Sequence, residues 1–369
     1  MGLGKKKMLS QGAAGGVVGT DNFQTITYTG NCNTQSTNSL LNQSGTLNFQ
    51  PDLIWFKNRT GAYLHQIYNS IRGANKLLNP GVATTIGTYT GTGAERDDGG
   101  GDLTNFNASG FTIGTCVFGS VNEVGFSHVA WCWKGGGAAT NITSSSTGVS
   151  AAALSANPSA GFSIATYTVN SSGSVVIPHG LNSPPSVALV KRTDSTSDWF
   201  WYNTIVPSKG RGFLNNTSAF DNSGVPTFDA TNLTFQASDP FSSGSSAVIY
   251  FFADIAGYQK IGTYPANGST TGPIVYTTDD GTATGTGGFE PRFLLIKSAD
   301  NASNWIILDK ARTPNNPMEN DLKANLASAE QTGTGNNYPQ ATTSATGFQV
   351  NTTDGAVNGS GTYIYLAIA

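Results

Sequence analysis

Charge is scarce in this chain of 369 residues: Asp, Glu, Lys and Arg together make up 11 %, and the formal net charge is -3. So even a balance supplies no electrostatic reason to expect a nucleic-acid partner. Long apolar runs are also missing. None exceeds about eight residues, against the roughly 20 that a membrane-spanning helix needs, so no membrane insertion is expected. Cysteine occurs at only three positions, Cys32, Cys116 and Cys132, an odd count that implies no disulfide framework. Histidine is as rare, with His65, His128 and His179 scattered one per region.

These shortages bear on chemistry. The best metal candidate is His128 with Cys132 in FSHVAWCW. On a strand the two share a face but stand about 13 Å apart, too far to bind one zinc. A packed strand is the expectation, and no metal or cofactor is. No nucleophile elbow, phosphate loop or dinucleotide fingerprint occurs. No two of the 22 acidic residues stand out as a pair for glycoside hydrolysis, so no catalytic residue is nominated. The N-terminus, MGLGKKKMLSQGAAGGVV, is basic but lacks the continuous apolar stretch of a signal peptide. Lys6 stands where a myristoylation signal wants Ser or Thr.

What is abundant is turn chemistry. Glycine reaches 46 residues, and Ser, Thr and Asn fill the gaps between short β-branched and aromatic runs, which predicts an all-β chain. One phrase recurs in it. A proline, five largely apolar residues and a lysine make up PDLIWFK at 51–57, PSVALVK at 185–191 and PRFLLIK at 291–297. Upstream of each lies T-Y-x-x-N, at Thr27, Thr166 and Thr263. Eight residues after each lysine stands a ring: His65, Trp199 and Trp305. Arg72 and Arg312 follow seven residues later in two copies, and each copy closes on an apolar run, HVAWCWK, AVIYFFADI or TYIYLAIA.

Landmarks in constant order predict three tandem β-sandwich or jelly-roll-like units at 21–137, 161–257 and 258–369. A flexible basic docking arm, residues 1–20 with Lys5, Lys6 and Lys7, precedes them, and a Gly/Ser/Thr-rich linker, 138–160, follows the first. Proline is tolerated as the first residue of a strand. Apolar residues on both faces predict a strand covered on both sides. The closing lysine is expected to lay its stem on apolar surface and carry its charge to water.

Two acidic loops could offer calcium oxygens, ERDDGGGD with Asp97, Asp98 and Asp102, and TTDDGTATG with Asp279 and Asp280. They fall at different places in their units and lack EF-hand spacing, so solvated turns are expected. In SDWFWYN, Trp199 and Trp201 share one strand face and form the candidate glycan contact. The competing reading buries them, since Trp305 repeats the Trp199 offset.

The first unit, with PDLIWFKNR, HQIYNSIRG, ASGFTIGT and HVAWCWKGG, resembles a repeat domain of virion proteins from marine tailed phages, cyanophages included. The likeness is specific over about residues 45–137 and weaker beyond. It implies a non-enzymatic structural protein of the virion, docked through residues 1–20 on another virion protein. Tail association, as a fibre or adhesin touching host-surface glycan, is the expectation, with capsid-head decoration as the alternative. An oligomer of identical chains is expected in either place. A secreted lectin-like module is the rival from another class, and it would require an export signal.

Overall fold

Pro51, Pro185 and Pro291 each precede a strand whose residues are buried on both faces. The computed structural model describes residues 19–369 apart from 38–40, 45, 81–84, 87–88, 91–93, 98, 100, 117–120, 239–240, 334 and 336. The arm residues Lys5, Lys6 and Lys7, and Asp98, therefore lie outside the described residues. Strand accounts for 44 % and helix for 4 %, so the chain is all-β.

The first unit contains β1 (Phe23–Thr29), β2 (Leu53–Asn58), β3 (Gln66–Asn69), β4 (Gly73–Leu78) and β5 (Ser127–Trp133). The second contains β6 (Val149–Asn157), β7 (Phe162–Val169), β8 (Val187–Arg192), β9 (Trp199–Asn203), β10 (Arg211–Phe213) and β11 (Ser246–Phe252). The third contains β12 (Gln259–Pro265), β13 (Phe293–Ser298), β14 (Ile306–Asp309), β15 (Asn320–Lys323) and β16 (Thr362–Ile368).

All three large sheets use one antiparallel order: β1-β5-β2-β3-β4, then β7-β11-β8-β9-β10, then β12-β16-β13-β14-β15. A three-stranded sheet belongs to each. These centre on Gly110–Ile113, Asn232–Gln236 and Gly347–Gln349. Residues 138–160 correct the linker expectation, because β6 lies within them and pairs with β7 over eight positions as part of the second sheet. Small residues did suggest a linker, but Val149, Ala152 and Leu154 give that stretch an apolar face against the second core.

Alternation along each strand divides the buried residues between two kinds of core. Ile54 and Phe56, Ala188 and Val190, and Leu294 and Ile296 point into their own sandwiches. Leu53 and Trp55, Val187 and Leu189, and Phe293 and Leu295 point the other way, into one apolar core shared by all three units. Rings from different units meet there: Trp133 stands 5.8 Å from Phe293 and 6.5 Å from Phe252, and Trp201 stands 4.8 Å from Trp305. A cavity of about 20 Å³, lined by apolar residues of all three units, lies within this core. Three sandwiches therefore close around a fourth core at the centre.

Candidate functional site at the unit junctions

The residues singled out by the repeat converge on the junctions. His65 Nε2 lies 3.0 Å from the Lys323 carbonyl, Trp305 Nε1 donates to the Phe213 carbonyl at 2.8 Å, and Trp199 Nε1 donates to the Asn79 carbonyl at 2.9 Å. First unit reaches third, third reaches second, second reaches first. A second cycle involves the backbone two residues past each lysine. Glu330 N donates to Arg59 O, Glu95 N to Thr193 O, and Phe220 N to Ala299 O, at 2.7, 2.7 and 2.9 Å. The ring is held by the same bonds at each of its three junctions.

Burial of the lysines overturns the expectation that they reach water: Lys57, Lys191 and Lys297 are each 0 % exposed. On β2, β8 and β13 they continue the face that points to the central core, so there is no water for the amine to reach. The following loop supplies acceptors instead. Lys57 Nζ donates to the carbonyls of Asn58 and Tyr63, both at 2.8 Å, and to Ala327 of the third unit at 3.1 Å. Lys191 Nζ donates to Ser195 O at 2.8 Å, and Lys297 Nζ to Ser298 O at 2.8 Å and Asn301 O at 3.2 Å. Each lysine thus pins the loop that carries the carbonyl of the second cycle.

Burial pushes the Lys57 ammonium down to about 7, against a weaker pull from Glu330, and Lys191 and Lys297 down to about 8. Above those values the unfolded chain holds protons that the folded chain has released, so stability should rise with pH from about 7 toward 10. The midpoint of urea unfolding should climb across that window, and Lys57→Met should flatten the climb. A slope that Lys57→Met leaves unchanged would mean that Lys57 does not titrate there.

The junction of the first and third units carries further charge. Glu330 accepts from Arg59 Nη2 at 2.8 Å and from Arg312 Nη1 at 2.8 Å. Arg312, whose side chain is 0 % exposed, also binds Asp309 at 2.5 Å and lies 5.6 Å over the Trp131 ring. Trp131 Nε1 donates to Asp309 Oδ2 at 3.0 Å. Arg72, the matching landmark, pairs with Glu95 at 2.6 Å. Glu330 and Glu95 escaped the sequence reading because neither belongs to a repeated phrase. The lysines did carry a signal, since the same residue closes three otherwise divergent strands.

Other expectations change as well. Trp199 and Trp201 are 0 % and 1 % exposed and belong to the central core, so neither can stack on a sugar. Their strand, β9, packs one face against its own sandwich and the other against the neighbouring units. Asp102 is buried and accepts from Gln66 Nε2 at 3.0 Å, so it is not a solvated turn residue, whereas Asp279 and Asp280 are exposed. Cys32 and Cys116 form a disulfide across 84 residues of sequence, where none was expected, with Cα atoms 4.8 Å apart. They lie far apart in sequence and meet only because the sandwich brings their loops together. His128 and Cys132 are packed in the strand, as expected, with His128 stacked on Tyr28. Among the described residues, no cluster of three or more His, Cys, Asp or Glu could hold a metal.

This architecture defines a class: a single chain that folds as three like β-sandwiches cyclically bonded around a shared apolar core. Residues 18–369 match the family described as Domain of unknown function (DUF7483), and the chain belongs to that family. No curated protein and no solved structure matches it.

Proposed function

We propose that this chain is a non-enzymatic structural protein of a tailed-phage virion, docked on another virion protein through its basic N-terminal segment. The observation that carries the reading is the use made of its repeated polar and aromatic residues. Buried lysines, ring nitrogens and the Arg59–Glu330–Arg312 network hold one unit to the next, which is what a load-carrying assembly part requires. The resemblance of the first unit to virion repeat domains supports the same reading.

Tail association, with the outer surfaces of the units meeting the host, is the first placement. Head decoration is the second, and the burial of Trp199 and Trp201 favours it by removing the aromatic face that a glycan receptor would have used. Antibody against the second and third units, located by gold label on purified particles, tests both. Label at the tail supports the first placement and label over the head the second, while unlabelled particles would overturn the virion reading.

A further inference from the structure

The three junctions share a backbone frame but differ in what fills it. Two residues past the buried lysines stand Arg59, Thr193 and Ala299, whose carbonyls accept from the amides of Glu330, Glu95 and Phe220. Between the first and third units the Arg59 side chain closes the frame. Its Nε and Nη2 donate to the two carboxylate oxygens of Glu330 at 3.0 and 2.8 Å, and Arg312 Nη1 reaches Oε2 at 2.8 Å. Between the second and third units a ring closes it instead. Phe220 is 4 % exposed and packs 5.8 Å from Trp305.

The junction of the second and first units keeps only half of the ion network. Arg72 repeats the placement of Arg312, since each donates from Nη2 to the carbonyl five residues upstream, Ile67 O at 3.3 Å and Ile307 O at 2.9 Å. Arg72 Nη1 also donates to Glu95, as Arg312 Nη1 does to Glu330. The position of Arg59, however, belongs here to Thr193, several atoms shorter than an arginine. A cavity of about 500 Å³ lies at that place, lined by Arg72, Glu95 and Thr193 among others.

Its walls state which ligand they suit. Of the ion pair the carboxylate is the more open, with side-chain exposures of 20 % for Glu95 and 5 % for Arg72, so a ligand meets negative charge first. The opposite wall is rich in hydroxyls. Thr166 and Thr168 lie on the face of β7 opposite Tyr167, which packs into the second core, and Thr168 Oγ1 stands 2.9 Å from Ser246 Oγ. A guanidinium matches both walls. Its planar fork donates two N–H groups to a carboxylate and keeps others for hydroxyls, and it is more weakly hydrated than an ammonium.

We propose that this cavity is a binding site for a guanidinium group, held by Glu95 as Glu330 holds Arg59. Countercharge is smaller here, because Asn69 stands beside Arg72 where Asp309 stands beside Arg312. An added cation is therefore only partly balanced, and a free guanidinium compound should bind with a Kd of about 1–10 mM. The site does not depend on the virion reading.

Titration of the full chain with ethylguanidinium chloride, followed by the amide chemical shifts of Glu95 and Thr166, tests it against ethylammonium chloride at equal concentration. Saturable shifts are expected with ethylguanidinium, and binding at least about fivefold weaker with ethylammonium. Glu95→Gln should weaken binding about tenfold or more. Should Glu95→Gln fail to fold, Thr193→Arg serves alone: its side chain should fill the cavity as Arg59 fills its counterpart, abolishing the shifts. No saturable shift up to about 50 mM, several times the expected Kd, would overturn the proposal. So would an equal response to ethylammonium, or binding that Thr193→Arg leaves unchanged. Nα-acetylarginine amide separates the two sources of such a group. Binding as tight as that of ethylguanidinium assigns the site to an arginine of another polypeptide, and its exclusion assigns the site to a small guanidinium compound. Shifts are read on the isolated protein, so their failure is separate from a failure of particle labelling.

Discussion

Trp199→Ala is expected to destabilise the whole protein by about 3–5 kcal/mol, the usual cost of deleting a buried aromatic side chain. Trp199 is 0 % exposed, stacks at 6.4 Å on Tyr250 and donates its indole N–H to the Asn79 carbonyl of the first unit. Alanine would open a cavity in the central core and leave that acceptor without its donor. Chemical unfolding followed by tryptophan fluorescence measures the loss, and Trp199→Phe should recover the packing share but not the bond. If Trp199→Ala unfolds like the parent protein, the ring is not held where the structure places it. The same variant settles an experimental trap: reduced host binding after Trp199→Ala would report lost folding, not a lost sugar contact.

The second large effect is expected at Glu330. Glu330→Ala removes the carboxylate shared by Arg59 and Arg312, and Arg312 has no solvent to turn to. Breaking a buried pair by removing one partner costs about 3–5 kcal/mol, because the surviving charge stays desolvated. Asp309 still faces Arg312, so the lower part of that range is expected. Flanking ions hold the Glu330 carboxyl below its ordinary value despite burial, chiefly through the Arg59 hydrogen bond and the charge of Arg312. The stabilisation is therefore present above the ordinary Glu range and fades as pH falls through the lower folded value. Unfolding midpoints of parent and Glu330→Ala should converge in acid. Midpoints that stay equally far apart from neutral pH down to strong acid would mean that the ion pair contributes nothing.

How much of this was legible follows from which interactions leave a periodic trace. The covered strands announced themselves, because LIWF, VALV and FLLI are apolar on both faces and each follows a proline. The all-β class followed from composition and turn residues. What covers the second face was not legible, since sequence marks a strand as buried without saying whether another sheet or another unit does the burying. The lysines were misread for that reason. Snorkelling assumes a nearby surface, and the fourth core removes it. Residues 138–160 were misread because Ala, Ser, Gly and Thr suit a linker and a tightly paired strand alike. Glu95, Glu330 and the Cys32–Cys116 pair depend on contacts between residues distant in sequence, and no local pattern records those.

The cyclic order of the junctions limits how copies of this chain can associate. His65, Trp305 and Trp199 each extend one unit's ring to the next unit, and the third such step returns to the start. A head-to-tail contact that closes on itself leaves no unsatisfied half, whereas one that fails to close propagates into a filament. Each molecule uses up its own adhesive repeat in completing itself. Any contact between copies must therefore use a surface other than these three junctions.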